Sequence, residues 1–364
     1  MSLRGAAARM LFAVSLACAP SACGSDGHAS GRSGAGRGAP LPLADDPPDP
    51  EPPPPQSAPP DVDLGALPEG LEVPWPEQPR VRREIDVRDA TTAAAAARRA
   101  GSRLRVHADL DEVTVRADDV ELRVDEGVRI GRVLVARGRH RIRITGGRYG
   151  TIELAVPAQH VPPPPEFRPA WRVTDVTIEG VEVDAEDTAF FLRGQRLALV
   201  DSTAEAERYS VWTGDTDDFH SEDLILAGNR LTSAGPESTV RLVDVRRAVV
   251  VDNVLSNTRK HDFRVHGDSD AVFFGRNTLL NTGIMVGSME GDEVGTVWLV
   301  DNTFHHDVPS LLQAPPARIE RLVARGNRVF SDRWDCLVCS RGDGWEVEGN
   351  RVEAYRPPDG SDPD

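Results

Sequence analysis

The chain of 364 residues is poor in lysine, cysteine, aromatic residues and long apolar runs. Its single lysine is Lys260, and acidic residues exceed basic ones to give a formal net charge of −16. A charge of this sign argues against nucleic acid as a partner. It also disfavours the binding of acidic polymers, except at a local basic patch. The longest apolar segment lies near the N-terminus and is too short to span a bilayer as a permanent helix.

Cysteine occurs four times, as Cys18 and Cys23 near the N-terminus and as Cys336 and Cys339 near the C-terminus. A structural zinc site takes four ligands, so an isolated C-x-x-C pair is weak evidence for one. A thioredoxin-like redox role would need a βαβ pattern around the pair, and the sequence has none. In an exported protein we expect Cys336 and Cys339 to form a disulfide or to pack as two thiols.

Residues 1–23 have the pattern of an export signal. Arg4 and Arg9 precede a short apolar segment, and two cysteines follow, each after small residues. A cysteine followed by GSDG resembles the lipidated cysteine of bacterial lipoproteins, and Cys23 fits this pattern better than Cys18. Neither cysteine has the usual leucine three residues earlier, so an ordinary secretory signal is the alternative.

Residues 24–82 are rich in glycine and serine and then in proline, with the run LPLADDPPDPEPPPPQSAPPDVD. A segment of this composition buries too little apolar surface to fold, and proline-rich chains are extended and semi-rigid. We therefore expect a disordered tether that ends where folded structure begins, at residue 83. With a lipid on Cys23, the folded domain would be anchored to the outer membrane and would lie in the periplasm or at the cell surface.

The most regular feature lies in residues 224–352, where a short apolar run ends in asparagine six times. Successive asparagines are 24, 24, 25, 25 and 23 residues apart. A repeat of this length, built from short β-branched runs, is typical of a solenoid. The six residues are Asn229, Asn253, Asn277, Asn302, Asn327 and Asn350.

Each repeat has the composition of about three short strands separated by polar turns. The gaps are too short for a crossover helix, so each strand must pair in parallel with the next repeat. This predicts an all-β solenoid with a core of Val, Ile, Leu and Phe. Each repeated asparagine is expected to adopt a left-handed bend and to bond its counterpart in the next coil. A second polar column follows four residues later, with Ser233, Asn257, Asn281, His306 and Ser331.

These strand–turn–Asn coils resemble the right-handed, single-stranded parallel β-helix of the pectate-lyase-like superfamily. The resemblance covers residues 84–355, and we assign the β-helix domain to residues 83–356, followed by a polar tail at 357–364. A short helix that starts after Asp89 and is stopped by Gly101 is expected to cap the first coil. The resemblance implies a fold rather than a chemistry, because the superfamily includes lyases, hydrolases, epimerases, adhesins and non-catalytic surface proteins.

The strongest candidate site is the segment KHDFRVHG, which contains the only lysine. Strand alternation predicts that its charged residues point outward while Phe263 and Val265 point into the core. Arg241 precedes Arg264 by 23 residues, one coil, so the two guanidiniums should lie side by side. Side-by-side guanidiniums repel unless an anion lies between them. The predicted catalytic residues of this surface are Arg241, Lys260, Asp262, Arg264 and His266.

An acidic sugar could supply that anion, because arginine binds carboxylates in a bidentate manner. A uronate lyase needs a neutralised carboxylate and a base, and Lys, Arg or His can serve. The run FRVHG resembles the RHG segment of the chondroitinase B and alginate lyase β-helices, which use a Lys and an Arg one coil apart. Here the earlier coil offers Arg241 instead of lysine. The alternatives are internal pairing with Asp262 or Asp244 and an ordinary solvated strand face.

A second candidate is an acidic segment that starts after Trp212. Its predicted substrate-binding residues are Trp212, Asp215, Asp217, Asp218 and His220. The carboxylates could bind Ca²⁺ or act as an acid–base pair, as in the polygalacturonase-like hydrolases. Trp212 could stack on a sugar ring, and the alternative is an acidic solvated turn. No other metal or cofactor is firmly implied, because His306 of the His305–His306 pair occupies the turn column.

Together these features predict an exported β-helix protein that binds or processes an extracellular polysaccharide, as a lyase or a glycoside hydrolase. The alternative is a non-catalytic structural or adhesion module of the cell surface. We expect a monomer that contacts a membrane only through its lipid and does not bind nucleic acid. The aromatic fraction of 5% predicts no aromatic platform for sugar binding.

Overall fold

The computed structural model describes residues 60–156, 172–214, 221–281, 283–287, 292–305, 312–313, 318–332, 337–338 and 342–355. Within these ranges the strands pair in parallel and stack coil upon coil along one axis. The prediction of an all-β parallel β-helix is confirmed, and the described residues contain one short helix.

In the described ranges sheet A contains 12 parallel strands, which follow one another in chain order. They are β1 (Arg83–Val87), β2 (Ser102–Val106), β4 (Val120–Val124), β6 (His140–Thr145), β8 (Thr174–Glu179), β11 (Gln195–Val200), β14 (Ser221–Ala227), β17 (Val245–Val251), β20 (Asp270–Gly275), β23 (Val294–Val300), β26 (Ile319–Arg325) and β28 (Glu346–Glu348).

A second sheet, with 17 strands among the described residues, completes the coils. It begins with β3 (Leu110–Val115), β5 (Arg129–Ala136) and β7 (Arg148–Val156), and after β7 it divides into two faces. Face B contains β9 (Glu182–Ala185), β12 (Thr203–Ala206), β15 (Arg230–Ser233), β18 (Val254–Asn257), β21 (Thr278–Leu279), β24 (Thr303–His305), β27 (Arg328–Phe330) and β29 (Arg351–Glu353). Face C contains β10 (Thr188–Phe191), β13 (Tyr209–Trp212), β16 (Val240–Val243), β19 (Phe263–His266), β22 (Ile284–Val286) and β25 (Leu312–Gln313).

One continuous apolar core runs through the described coils, from Val87 to Leu337. Alternation along each strand decides which side chains enter it. In β14, for example, Leu224 and Leu226 belong to this core, whereas Ile225 belongs to a separate apolar cluster on the outside of sheet A.

Helix α1 (Ala90–Ala96) caps the first coil, as predicted. The carboxylate of Asp89 accepts a hydrogen bond of 2.8 Å from the backbone N–H three residues later, which is the usual N-cap arrangement. Ala93 is buried in the main core, so the helix covers the open end of the core. The helix is shorter than predicted, because its C-cap is Ala97 rather than a residue next to Gly101.

The repeated asparagines form the predicted ladder at the turn between sheet A and face B. Nδ2 of Asn253 donates to Oδ1 of Asn277 at 2.9 Å, and neighbouring asparagines from Asn229 to Asn350 are linked in the same way at 2.7 to 3.1 Å. The same oxygen of Asn277 also accepts the backbone N–H of Asn253. Ser202 extends the ladder by one coil, since its N–H donates to Asn229 at 3.0 Å.

The left-handed residue of each turn is the one before the asparagine, which corrects the prediction that the asparagine itself takes this conformation. Asp252, Arg276 and Asp301 have φ values of 57°, 55° and 54°. Glycine takes this position before the other three asparagines, as Gly228, Gly326 and Gly349. With the bend one residue earlier, the asparagine side chain points into the turn and bonds the adjacent coils.

Residues 60–82 form a strap along the outer face of sheet A, so the predicted disordered tether does not extend to residue 82. Leu71 is 4% exposed and packs, together with Val73, on outward apolar residues of sheet A such as Ile225 and Val249. The strap is ordered because its apolar side chains cover an apolar stripe that would otherwise face water.

Hydrogen bonds fasten the strap to side chains of the coils. Arg276 donates to the backbone oxygen of Leu64 at 3.3 Å, and Asp175 accepts the backbone N–H of Glu77 at 3.0 Å.

Residues 24–59 of the predicted tether lie outside the described residues. In the described part of the chain, no helix is long and apolar enough to cross a membrane.

Candidate functional site

Arg241 and Arg264 lie directly side by side on face C, as their spacing of one coil predicts. Trp212 is in register with Arg241, and Phe191 is in register with Trp212. Neighbouring strands are about 4.8 Å apart. The four residues therefore form one column, with two aromatic side chains followed by two guanidiniums, which we call the face C column.

The two guanidiniums are set deep in the surface. The Arg241 and Arg264 side chains are only 9% and 10% exposed. Burial, and to a smaller extent the charge of Arg241, lowers the pKa of Arg264 below its usual range. Two partly desolvated charges of the same sign require a nearby anion.

Glu237, in the loop between β15 and β16, supplies such an anion. Its Oε2 lies 4.0 Å from Nη1 of Arg241, 4.0 Å from Nη1 of Arg264 and 3.8 Å from Nζ of Lys260. One carboxylate oxygen thus faces three cations at distances longer than a hydrogen bond. The side chains of Glu237 and Lys260 are 26% and 39% exposed, so these two residues form the solvent-accessible mouth of the site.

Asn257 ties together the two loops that carry Glu237 and Lys260. Its Nδ2 donates to the backbone oxygen of Glu237 at 2.6 Å, and its Oδ1 accepts the backbone N–H of Lys260 at 2.6 Å. It also donates to Ser233, the neighbouring member of the second polar column, at 2.8 Å. Asn281, the next predicted member, is exposed and bonds a serine of the previous coil instead. Among the described members of the second column, Asn257 is therefore the one that organises the site.

Tyr209 completes the site and was not predicted. Its hydroxyl accepts a hydrogen bond of 2.6 Å from Nη1 of Arg241. Burial raises the pKa of Tyr209 above its ordinary value, although the charge of Arg241 acts in the opposite direction. The hydroxyl therefore keeps its proton at neutral pH, and because Tyr209 is fully buried it acts on Arg241 rather than on a ligand. In the sequence this tyrosine begins a short apolar run and looks like a core residue.

His266 orients Arg241. Nε of Arg241 donates to Nε2 of His266 at 2.9 Å, and Nδ1 of His266 lies 3.7 Å from Oδ1 of Asp292. Burial, followed by the charges of Arg241 and Arg264, lowers the pKa of His266 to about 3. The ring is therefore neutral, with its proton on Nδ1. Because His266 is only 3% exposed, it acts on Arg241 rather than on a ligand.

Asp262 lies beneath the site rather than at its surface. It is fully buried, and its backbone bonds the coils on both sides, through the oxygen of Gly283 and the N–H of Val240. Of the five predicted catalytic residues, Lys260 is therefore the one that a ligand reaches first, and the two arginines form the floor.

Trp212 belongs to an aromatic cluster, which the low aromatic content did not predict; sugar binding by these rings stays untested. Its ring centroid lies 4.5 Å from that of Phe191 and 5.2 Å from that of Tyr209. The guanidiniums of Arg193 and Arg208 each lie 5.9 Å from the Trp212 ring centroid, within the range of cation–π contacts. The aromatic residues are few, but Phe191 and Trp212 are in register on adjacent strands and therefore lie together at the site.

Several predicted residues lie outside the described part of the chain. They are Asp215, Asp217, Asp218, His220, His306, Cys18, Cys23, Cys336 and Cys339. Ca²⁺ binding by the acidic segment and a disulfide between the last two cysteines therefore stay predictions. Within the described ranges, no group of three or more His, Cys, Asp or Glu side chains is placed to hold a metal ion. His305, next to His306, stacks on Phe330 at 5.0 Å.

Arginine–carboxylate pairs on sheet A have a different geometry from the Glu237 cluster. Nε of Arg196 lies 2.6 Å from Oδ1 of Asp175, and Nε of Arg247 lies 2.6 Å from Oδ1 of Asp223. Each of these pairs joins two adjacent coils through a direct, charge-assisted hydrogen bond. At Glu237, by contrast, three cations surround one oxygen and none of the three distances is below 3.8 Å.

No protein-family model and no curated protein matches the chain. Similar solved structures include an alginate lyase from Paenibacillus sp. str. FPU-7, with 12% identity over 74% of this chain and 99% of the lyase, and a TM-score of 0.50. They also include the Dettilon tailspike protein, with 13% identity over 73% of this chain and 63% of the tailspike, and a TM-score of 0.38. At these identities the likeness is one of fold alone. The chain is a parallel β-helix protein.

Proposed function

We propose that the face C column binds an acidic polysaccharide and cleaves it as a lyase. The observation that carries this proposal is the convergence of Arg241, Arg264 and Lys260 on one carboxylate oxygen, at 3.8 to 4.0 Å. A site that holds one carboxylate in this way suits the carboxylate of a uronate residue. The rings of Phe191 and Trp212 extend the column and would contact the neighbouring sugar. An alginate lyase shares the fold, which agrees with the proposal without carrying it.

The proposed reaction is a β-elimination. A base removes the proton from the carbon next to the uronate carboxylate, the bond to the leaving glycosidic oxygen breaks, and a carbon–carbon double bond forms. A second group gives a proton to the leaving oxygen, so one product carries an unsaturated uronate at its end. Cations at the carboxylate lower the barrier because negative charge develops there in the transition state.

Each residue of the site has a role in this scheme. Arg241 and Arg264 neutralise the carboxylate, and Lys260, the most exposed of the three basic side chains, is the candidate base once it has lost its proton. Tyr209 is fully buried and holds Arg241, so it is a positioning residue, and water would give the proton to the leaving oxygen. His266 is a positioning residue, because it touches Arg241 rather than the substrate.

The test is a screen of the protein against acidic and neutral polysaccharides, in which unsaturated-uronate absorbance and reducing ends are measured in parallel. We expect absorbance to rise with an acidic polymer and Arg264→Ala to abolish that rise. Arg247→Ala is the matched control, because Arg247 pairs with Asp223 on sheet A and should leave the activity unchanged.

Two outcomes would contradict the lyase proposal. Reducing ends without absorbance would indicate hydrolysis and would direct attention to the acidic segment at Asp215–Asp218. No product and no thermal shift with any polymer would exclude both activities and favour a non-catalytic role.

The second candidate function is a non-catalytic surface module, and the ion pairs of sheet A are the observation that favours it. The pairs Arg196–Asp175 and Arg247–Asp223 join successive coils, and the strap at residues 60–82 crosses many coils. Such links would stiffen the solenoid as a spacer or adhesion module. Under this function the cluster at Glu237 is one more internal contact, and its substitution changes no binding measurement.

We also infer export and lipid anchoring through Cys23 from the pattern of residues 1–23. The test is expression in a bacterium supplied with labelled palmitate. Wild type and Cys18→Ala should take up the label in the membrane fraction, and Cys23→Ala should not. Loss of the label in Cys18→Ala alone would show that Cys18, and not Cys23, carries the lipid. No label on any variant would favour an ordinary secretory signal.

A further inference from the structure

We propose that Glu237 is an internal competitor for the anion subsite of face C. Its carboxylate occupies the place that a ligand's carboxylate would take, and the ligand must displace it. The class of ligand in this inference, a singly charged acidic sugar, is taken from the proposed function. The separate claim is that Glu237 sets the affinity of the site.

The position of Oε2 is the first support. The atom lies 4.0 Å from Nη1 of both Arg241 and Arg264 and 3.8 Å from Nζ of Lys260. At this point three positive potentials add, so it is a favourable place for a carboxylate oxygen. A ligand carboxylate that contacts both arginines must enter the same space.

The loop that presents Glu237 is held on both sides, which is the second support. A side chain at Gly235 would clash with the backbone oxygen of Glu207, so glycine is needed for the loop to approach the previous coil this closely. After Glu237, Oγ1 of Thr239 donates to a backbone oxygen of the next coil at 2.7 Å. Nδ2 of Asn257 holds the backbone oxygen of Glu237 itself at 2.6 Å. The backbone is therefore fixed, while the side chain keeps its rotatable bonds and can move aside.

Solvent exposure is the third support. The Glu237 side chain is 26% exposed, against 9% for Arg241 and 10% for Arg264. An anion that arrives from solvent therefore meets the glutamate before it contacts the guanidiniums. Displacement of Glu237 then exchanges one carboxylate for another and leaves the charge of the cluster unchanged.

The test is isothermal titration calorimetry at low salt, with glucuronate as the acidic probe and glucose as the neutral one. We expect Glu237→Gln to lower the dissociation constant of glucuronate at least about tenfold, because the competing charge is gone while the shape is kept. The gain should shrink at high salt, since exposed charges are screened there. Glucose binding should be the same in both proteins.

Glu153→Gln is the matched control. Glu153 lies on β7 in register with Phe191 of the face C column, and its side chain is 25% exposed, almost the same as that of Glu237. This variant removes one negative charge from the same side of the protein at a distance from the cluster. It should bind glucuronate as wild type does.

Equal or weaker glucuronate binding by folded Glu237→Gln would overturn the inference, and so would the absence of glucuronate binding by wild type and variant alike. Glu237→Asp covers the case in which the Gln variant does not fold. It keeps the charge but shortens the reach, so its affinity should exceed that of wild type. An affinity equal to wild type would count against the inference.

The failure of this inference and that of the lyase proposal are distinguishable. Tighter glucuronate binding by Glu237→Gln, with no unsaturated product from wild type on any polymer, would support Glu237 as an internal competitor and contradict the lyase proposal. If wild type forms an unsaturated product and Arg264→Ala does not, while Glu237→Gln binds glucuronate with unchanged affinity, the lyase proposal is supported and the competitor inference is contradicted.

Discussion

Nε of Arg241 donates a hydrogen bond of 2.9 Å to Nε2 of His266, on the adjacent strand of face C. The bond requires an unprotonated Nε2, and a buried ring beside two guanidiniums stays neutral because protonation would add a third positive charge. The histidine that alternation places on the outer face therefore sets the orientation of an arginine. This relationship gives the site a pH dependence that can be measured.

We expect His266 to make the fold sensitive to acid. Its folded pKa of about 3 lies below the ordinary value of 6.5. Between these two values the unfolded chain binds a proton that the folded chain excludes. The contribution to the free energy of unfolding is therefore complete above about pH 6.5 and is lost progressively as the pH falls toward 3.

His266→Gln is the matched variant, because its amide oxygen can accept the same bond and does not titrate. Urea unfolding at several pH values through this window should show that wild type loses more stability on acidification than the variant. Equal losses of stability in the two proteins would show that His266 does not cause the sensitivity to acid.

His107 should produce the opposite pH dependence in the first coils. Its Nδ1 lies 2.6 Å from Oδ2 of Asp125, and its Nε2 lies 2.7 Å from Oδ1 of Asp86. Both ring nitrogens must donate to carboxylates, so the ring is protonated, and the bonds to Asp86 and Asp125 raise the pKa of His107. A raised pKa gives stabilisation that is complete below the ordinary value of 6.5 and is lost as the pH rises through the folded pKa.

Hydrogen exchange of β1, β2 and β4 measures this effect. Protection of these strands should decline as His107 deprotonates, and His107→Gln should remove the dependence on pH. Protection in wild type that does not change across the NMR titration of the His107 ring would disprove the prediction.

Leu71→Ala should destabilise the protein through the strap. Leu71 is buried against the outer side of sheet A, so the substitution removes apolar contact and leaves a cavity. We expect the free energy of unfolding to fall by about 2 kcal/mol, at the low end for a buried leucine. Glu72→Ala is the control, because Glu72 is adjacent and exposed. Similar unfolding midpoints for the two variants would mean that the strap does not add to stability.

Asn277→Ala should weaken the asparagine ladder. Oδ1 of Asn277 accepts both the backbone N–H and the side-chain amide of Asn253, each at 2.9 Å. Its removal leaves buried donors without an acceptor, and we expect a loss of about 2 to 3 kcal/mol. Asn281→Ala, at an exposed position of the same coil, should be close to neutral. A neutral Asn277→Ala would argue against a stabilising ladder.

The period of the asparagines was sufficient to predict the fold, the ladder and the pairing of Arg241 with Arg264. In a solenoid each residue lies beside the one a coil earlier, so a distance in sequence converts directly into a neighbour in space. The strap was missed even though its signal is present. Runs such as LILA in β14 and AVVV in β17 are apolar at consecutive positions, and a strand of this kind is covered on both faces.

The sequence by itself determined the coils, the register and the column of outward side chains, because these follow from a period and from strand alternation. Only the tertiary structure decided that Glu237 faces three cations, that Tyr209 bonds Arg241 and that His266 is neutral. Glu237 lies in a loop that follows no period, and protonation depends on burial and on charges contributed by other coils. The geometry of the site is therefore set by contacts between coils that no single repeat contains.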